Sequence, residues 1–79
     1  DDTRSKKTDV VRYALETCGI SPDRAVMIGD RYHDIDGAKD NALESIGVLW
    51  GYGSREELSA AGATRLAESV PQLASLLGL

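Results

Sequence analysis

The 79-residue sequence has room for one small domain, and a chain of this size buries only roughly 60% of its unfolded surface. Its 42% hydrophobic content and mixed charges are typical of a globular protein, while the net charge of -4 argues against broad binding to nucleic acids or anionic membranes. The single cysteine, Cys18, cannot form an internal disulfide, and no apolar run is long enough for a signal peptide or a membrane span, so a cytoplasmic setting is expected.

The first residues are polar and show no helical period. Residues 1–7, DDTRSKK, are therefore predicted to form a loop. From Thr8 onward apolar residues recur at helical spacing, which predicts a helix over residues 9–18 with Thr8 as its cap and Gly19 at its end. Cys18 falls on the apolar side of this helix, so we expect it to be buried rather than to act as a nucleophile.

A short apolar run, AVMI at residues 25–28, predicts a strand that Gly29 ends. A strand that is apolar on both faces belongs in a parallel sheet that is covered on both sides. Acidic residues follow at once, beginning with Asp30, and a helical pattern then predicts a helix over residues 35–43, weakened by Gly37.

The remaining chain continues the alternation of strands and helices. SIGVLW at residues 45–50 predicts a second strand, and TRLAE at residues 64–68 predicts a shorter third one. Residues 70–77 predict a final amphipathic helix with Pro71 in its first turn. The order αβαβαβα predicts an α/β fold with a parallel sheet of about three strands.

The loop GYGS at residues 51–54 precedes a predicted short helix that Ser54 can cap. Glu56 and Glu57 suit the first turn of that helix. The two glycines are weak evidence for phosphate binding, because such a pair usually indicates a tight bend and the fuller phosphate-loop patterns are missing.

Asp30 follows a strand of the predicted sheet, and open α/β sheets bind ligands beyond the carboxyl ends of their strands. Asp34 stands four residues later, where the helical pattern begins, so one turn of backbone can bring both carboxylates to the same point. Two carboxylates held together repel each other unless a proton or a cation lies between them. Oxygen ligands favour a hard cation such as Mg2+, which needs one or two protein carboxylates plus a phosphate. The spacing therefore predicts a magnesium and phosphate site.

A simpler interpretation of both acids stays open at this point. Asp34 can be the N-cap of the following helix, and Asp30 can be a polar residue that closes the strand. An EF-hand is excluded, because aligning the acids with its loop puts Tyr32 at the first ligand position and Leu43 at the last.

Three segments in succession resemble the C-terminal part of a haloacid dehalogenase-like (HAD) hydrolase, most closely the phosphoglycolate phosphatase-like subgroup: SKKTDVVRYALE, GDRYHDIDGAK and SIGVLWGYGS. The resemblance implies that Asp30 is the Mg2+ ligand and that Asp34 is its partner, binding the ion directly or through water. Lys7 resembles the family's lysine that neutralises the phosphoryl oxygens and the nucleophile, with Lys6 as the less favoured candidate. Without the resemblance, Lys7 would be interpreted as a solvated surface charge.

Four further side chains lie near the same predicted rim. Arg31 and His33 are expected to be solvated or to stand behind the ligands rather than to bind the ion. Trp50 and Tyr52 are expected to pack near the rim without defining the substrate.

The sequence also departs from the family pattern. Family enzymes carry an aspartate nucleophile and a second aspartate in a DxD pattern after an early hydrophobic strand, with a Ser or Thr after the next strand. Here the DxDG string at residues 34–37 follows polar residues and falls at a helix start. Residues 1–79 are thus expected to be the C-terminal portion of a Rossmann-like HAD core domain, without the nucleophile half and the cap. Positioned charge cannot replace an attacking carboxylate, so the isolated chain is expected to lack turnover.

The resulting prediction is a fragment of a Mg2+-dependent phosphatase that acts on small organic phosphates. The alternative is a non-catalytic α/β module for interaction or assembly; a receiver-like acidic pocket is disfavoured, because no separate acidic pair precedes a first strand. In the resembled fold the strand at residues 25–28 pairs with the nucleophile strand. Its open apolar edge therefore predicts self-association, pairing with an N-terminal half, or a loosened and rearranged fold, with no nucleic acid or membrane as partner.

Overall fold

The computed structural model describes the backbone of residues 2–79 and the side chains of residues 6–79. In that part of the chain the elements are, in order, α1 (Asp2–Cys18), a 3-10 helix (Pro22–Arg24), β1 (Val26–Gly29), α2 (Tyr32–Asp40), β2 (Glu44–Val48), α3 (Arg55–Ala61), β3 (Arg65–Ala67) and α4 (Val70–Leu76). The predicted α/β class and the order αβαβαβα are confirmed, with a 3-10 turn added before β1.

The three strands form one parallel sheet in the order β1-β2-β3. β1 pairs with β2 from Val26 opposite Glu44 to Gly29 opposite Gly47, and β3 pairs along the other side of β2. Because parallel strands end at the same side of a sheet, the loops after β1 and β2 meet at one rim.

One face of the sheet packs against the last helix. Ile46 and Val48 of β2 form a buried cluster with Ala67 of β3, and Leu73 and Leu76 of α4 pack against it. This cluster anchors β2 and β3 far more than β1.

The opposite face of the sheet is covered by α2 and α3. A Cβ at Gly47 would point to this side and come within 3.0 Å of both Leu58 Cδ1 and Leu66 Cδ2. Leu58 of α3 and Ile35 and Ala38 of α2 are fully buried. α2 and α3 are therefore fixed against the sheet by their apolar side chains.

β1 is only half covered, which corrects the expectation that both of its faces are buried. Ile28 stands opposite Ile46 and so lies on the side of α4, yet Ile28 and Val26 are 42% and 38% exposed. The short α4 packs over β3 at the far side of the sheet. Within the described residues, this face of β1 is open to solvent.

The polar start of the chain forms a helix, so the predicted loop over residues 1–7 and the predicted helix start at residue 9 are wrong; residue 1 itself lies outside the described residues. Thr8 is not a cap. In mid-helix its hydroxyl donates to the Asp40 carboxylate at 2.7 Å, and Asn41 Nδ2 donates to the Thr8 carbonyl at 3.0 Å. These polar contacts with α2 support a helix whose sequence has no apolar period at this end.

Cys18 is exposed at the end of α1, so the expectation of burial is wrong. The apolar residues of α1 do not share one face. Val11 is buried, whereas Val10 and Tyr13 are 63% and 71% exposed. Helical spacing alone therefore did not identify which side of the helix packs.

α2 begins and ends three residues earlier than predicted. The predicted start at Ile35 is too late because the prediction treats Asp34 as a candidate cap. The N-cap is Arg31, and Asp34 occupies the third helical position. The helix ends at Asp40 because Ala42 adopts a left-handed conformation with φ 60°, which turns the chain toward β2. The bounds of β1 and β2 differ from the predicted ones by no more than two residues.

Candidate metal and phosphate site

Asp30 directly follows β1 and joins it to the loop after β2. Its carboxylate Oδ2 accepts a hydrogen bond from the Tyr52 backbone N–H at 3.1 Å. Its carbonyl oxygen accepts one from the Gly53 N–H at 2.7 Å. Two hydrogen bonds thus hold the Asp30 backbone and side chain against the neighbouring rim loop.

The glycines of this loop make the close approach possible. A Cβ at Gly51 would overlap the Asp30 side chain, and a Cβ at Gly53 would overlap the Asp30 carbonyl oxygen. Any larger residue at either position would push the loop away from Asp30. Gly51 and Gly53, which the sequence indicated only as a tight bend, therefore provide the space in which Asp30, the first predicted metal ligand, is held.

Asp34 lies against the last residue of β1. A Cβ at Gly29 would overlap the Asp34 side chain, with its Oδ2 at 2.6 Å. The Asp34 side chain is 13% exposed. Because Asp30 follows Gly29 in the chain and Asp34 covers Gly29, both acids lie at the carboxyl end of β1. That their carboxylates meet at one ion stays a prediction.

Asp34 also has a helix-capping contact. Its Oδ2 accepts a long hydrogen bond of 3.4 Å from the Arg31 backbone N–H, and its own N–H donates to the Arg31 carbonyl at 3.1 Å. The alternative interpretation, in which Asp34 is the N-cap, is therefore right that Asp34 helps to cap the helix. It is wrong about the position, because Arg31 is the N-cap and Asp34 caps from the third helical position. The helix dipole further favours negative charge at this place.

Lys7 reaches the same point from α1. Its Nζ lies 2.8 Å from Asp34 Oδ1. The lysine stem passes over Gly37, where a Cβ would come within 2.7 Å of Lys7 Cγ. A glycine that weakens the prediction of α2 therefore provides the space through which the lysine reaches the acid.

Arg31 is paired with a glutamate of α3 rather than with the two acids. Its Nε donates to Glu57 Oε2 at 2.9 Å, and the Tyr32 backbone N–H donates to the same oxygen at 2.8 Å. The hydrogen bond from Arg31 and then that from Tyr32 hold the pKa of the Glu57 carboxyl below its ordinary value. The hydrogen bond to Glu57 and its negative charge raise the pKa of Arg31.

His33 lies beside the ion pair with an unusual environment. Its Nδ1 is buried without a hydrogen-bond partner among the described residues and lies 3.9 Å from Asp34 Oδ1. His33 also lines a shallow cavity of about 260 Å³ together with Lys6, Lys7 and Val10. The expectation that His33 and Arg31 stand behind the ligands stays a prediction.

The aromatic residues of the rim do not pack as expected. Tyr52 is 90% exposed and Trp50 is 48% exposed. The contribution of Tyr52 to the site is its backbone N–H, which holds Asp30.

The donor set fits a hard cation with few protein ligands. Among the described residues no group of three or more His, Cys, Asp or Glu side chains is arranged to hold a metal ion. Mg2+ does not require such a group, since it keeps several waters and is commonly bound by one or two carboxylates with a substrate phosphate. Asp30 and Asp34 supply oxygen donors of this kind, so the residues present fit Mg2+ better than a metal that needs a full protein cage.

The structure thus brings two of the residues that the sequence nominated, Lys7 and Asp34, into contact at the end of β1. The third, Asp30, directly follows that strand and lies against the loop after β2. The structure adds Glu57, which sequence reasoning assigned to the first turn of its own helix. Ser54 does cap that helix, since its Oγ accepts from the Glu57 N–H at 3.0 Å. Ser54 followed three residues later by Glu57 is a capping-box pattern, which predicts that the Glu57 side chain contacts the start of its own helix. Nothing in that pattern indicates its contact with α2.

The described part of the chain contains no helix with the length and apolar content needed to cross a membrane.

The chain matches the family model described as HAD-hydrolase-like over residues 6–76. The structure is that of an α/β protein with acidic residues at the rim of a parallel sheet. The chain belongs to the HAD-like hydrolase family.

Curated relatives carry several names. The chain is 38% identical over 77 residues to a 5'-nucleotidase of Pseudomonas aeruginosa, covering 98% of this chain and 35% of that protein. It is 36% identical to the tyrosine-protein kinase PtkA of Mycobacterium tuberculosis and 31% identical to a phosphoglycolate phosphatase of Escherichia coli, each over 81 residues and 100% of this chain. The matches cover 28% and 32% of those two proteins, so the chain spans about a third of the length of these relatives.

Among solved structures, a predicted phosphatase from Clostridium acetobutylicum superposes with a TM-score of 0.85 at 51% sequence identity. The match covers 91% of this chain and 34% of that protein. The resemblance to HAD phosphatases, with phosphoglycolate phosphatases among the relatives, is therefore confirmed.

The first prediction concerns Gly37. A helix-interior Gly→Ala change at a compatible position typically stabilises by about 0.5–1 kcal/mol. In Gly37→Ala this gain should be lost, because the added Cβ meets Lys7 Cγ at 2.7 Å. In the Lys7→Ala background the gain should return, as measured by urea unfolding of the four chains. Equal gains in both backgrounds would show that the lysine stem does not pass over Gly37.

The second prediction concerns pH. Because the folded pKa of Glu57 is lowered, its interaction contributes stability that is present above about pH 4.3 and is lost as the pH falls through the lowered folded pKa. The difference in unfolding free energy between the wild type and Glu57→Gln should therefore shrink as the pH is lowered below about 4. Glu56→Gln, at the exposed neighbouring position, is the control. A Glu57→Gln difference that stays constant down to acid pH would contradict the assignment.

Proposed function

We propose that the chain carries the metal carboxylates and the phosphate-binding lysine of a Mg2+-dependent phosphatase that acts on small organic phosphates. The observation that carries this proposal is the 2.8 Å ion pair between Lys7 Nζ and Asp34 Oδ1 at the end of β1, which Asp30 directly follows. A cation paired with one acid, with a second acid directly after the same strand at the rim where parallel sheets bind ligands, suits a phosphoryl group and its metal ion.

Each of the three residues has a role in this proposal. Asp30 and Asp34 would hold the ion, and bound Mg2+ supplies positive charge that offsets the charge on the phosphoryl oxygens. Lys7 contributes a compact point charge to the same oxygens. Because Asp34 is already paired with Lys7, Asp34 would fix the position of the Lys7 ammonium group relative to the proposed metal.

Phosphoryl transfer also needs an attacking group in line with the phosphorus. The DxD string of this chain, Asp34 and Asp36, lies in α2 and not at a strand end. We propose that the nucleophile comes from the length that the relatives have beyond this match, and that these 79 residues do not hydrolyse phosphate esters alone.

The substrate class rests on the names of relatives. A 5'-nucleotidase and a phosphoglycolate phosphatase support a small organic phosphate, whereas another relative is named a tyrosine-protein kinase. The names do not agree on one reaction. A second candidate function is therefore a non-catalytic α/β module, which is favoured by the half-open face of β1 at Val26 and Ile28.

The third prediction tests the site directly. When the chain is mixed with a polypeptide that covers the remaining length of the Clostridium acetobutylicum relative, phosphate release from p-nitrophenyl phosphate should appear and require Mg2+. Asp30→Asn and Lys7→Met should each lower the rate on the order of 10²-fold or more, because each removes a charge that acts on the phosphoryl group. Lys6→Met, at the exposed neighbouring lysine, should leave the rate unchanged.

Restored turnover that Asp30→Asn leaves intact would contradict the metal assignment. Titration of the chain alone with Mg2+, followed by amide chemical shifts, separates the two candidate functions. Changes confined to the surroundings of Asp30 and Asp34 support the phosphatase, and no response at millimolar ion supports the non-catalytic module. Asp23→Asn, on the exposed 3-10 turn, controls for the loss of one negative charge.

The partner proposal follows from β1. It is the sheet edge on the side away from β3, and Val26 and Ile28 beside this edge remain about two fifths exposed at 38% and 42%. Such an edge offers unpaired backbone groups and apolar side chains to another strand. We propose that a strand from the relatives' additional length pairs here, and that the isolated chain associates with itself through the same edge.

The fourth prediction is that the isolated chain sediments as more than a monomer and that Ile28→Lys shifts it toward the monomer, because a charge on this face disfavours apolar contact. Val70→Lys replaces a 63% exposed valine on α4 and should leave the sedimentation unchanged. A monomeric wild type whose β1 amides are already protected from hydrogen exchange would rule out an open edge.

A further inference from the structure

We propose that Glu57 is a positioning residue of the metal and phosphate site, holding the turn after β1 in place and occupying the Arg31 guanidinium that follows Asp30 in the chain. This inference rests on the proposed function. Glu57 acts through Arg31 and Tyr32 rather than by binding an ion or a substrate.

The geometry joins three segments at one carboxylate oxygen. Glu57 Oε2 accepts from Arg31 Nε at 2.9 Å and from the Tyr32 backbone N–H at 2.8 Å. A Cβ at Gly53 would lie 3.2 Å from the same oxygen and would overlap the Asp30 carbonyl. The Glu57 carboxylate therefore lies at the place where the loops after β1 and β2 come closest.

Glu57 is held in place by the core. The next residue, Leu58, is fully buried, and the Ser54 side chain caps the same turn of α3. The Glu57 side chain is 26% exposed. A carboxylate on such a fixed helix can impose its position on the turn that it contacts, and a surface acid on a loose loop could not.

Glu57 of α3 makes a shorter hydrogen bond to the start of α2 than Asp34, the acid in the first turn of α2 itself, does. The Tyr32 N–H is one of the helix donors without a partner inside the helix, and Glu57 satisfies it with a short bond. The bond from the Arg31 N–H to Asp34 is long, at 3.4 Å. Asp34 is therefore left to pair with Lys7 while a residue from another helix stabilises the helix start.

The charge of Arg31 is the second part of the argument. Arg31 follows Asp30 directly in the chain, and its guanidinium is held by Glu57 at 2.9 Å. If Glu57 were removed, the guanidinium would lose its main partner while Asp30 remained nearby. An arginine paired with Asp30 would compete with a divalent cation for that carboxylate.

The fifth prediction tests both parts with Mg2+ itself as the probe. Glu57→Ala should weaken Mg2+ binding by the chain about 10- to 100-fold, the size typical of residues that orient metal ligands. Arg31→Ala added to Glu57→Ala should recover part of that loss, because it removes the competing charge. Glu56→Ala, one position earlier on the exposed side of α3, should bind Mg2+ like the wild type.

Amide hydrogen exchange gives a readout that does not depend on metal. The Tyr32 and Tyr52 amides should exchange faster in Glu57→Ala and not in Glu56→Ala, since the turn after β1 loosens. The inference is overturned if Glu57→Ala leaves these amides as protected as in the wild type. It is also overturned if Glu57→Ala binds Mg2+ like Glu56→Ala, or if the double variant binds no better than Glu57→Ala. If the wild type shows no Mg2+ response, the proposed function fails, and unchanged exchange would then reject the role of Glu57 separately.

Discussion

The Lys7 and Asp34 side chains meet across α1 and α2 at 2.8 Å, and this pair ties the polar start of the chain to the end of the first strand. Two glycines make the meeting possible, because Gly37 lets the lysine stem pass and Gly29 lets the acid cover the strand. Surface ion pairs typically contribute between zero and about 1 kcal/mol, and the Lys7 end of this pair is 36% exposed, so the pair does not hold the fold together by itself. Its importance is geometric, since it fixes a cation beside a carboxylate where the sheet opens.

The site is built from close approaches of backbone to side chain rather than from a dense cluster of acids. Asp30 lies against Gly51 and Gly53, and Asp34 lies against Gly29. In each case a glycine provides room for an acid, and Gly29 does so at the cost of strand propensity at the end of β1. The buried residues Ile35 and Leu58 hold α2 and α3 in place around these contacts.

The sequence contained the fold class and the end of β1, because a short apolar run ended by glycine has few other interpretations. It predicted the second half of α1 but not the first, which is polar, has no period and is supported by contacts of Thr8 with Asp40 and Asn41. The two acids followed from their spacing. Lys7 needed the family resemblance, since a lysine in a polar segment looks like any solvated charge. Glu57 could not be found, because its position in a capping box predicts a contact within its own helix.

On the proposed function, the charges at the rim favour a metal together with a phosphate over either alone. Glu57 neutralises Arg31, which leaves the two negative charges of Asp30 and Asp34 beside the one positive charge of Lys7. A phosphate group alone would meet a net negative rim and be repelled. A divalent cation reverses that balance and leaves one positive charge, which attracts a phosphate dianion. If Arg31 were free, the rim would be neutral before any ion arrived and the attraction for a cation would weaken. On this proposal, the pairing of Arg31 with Glu57 therefore supports cation binding at the rim together with Asp30 and Asp34.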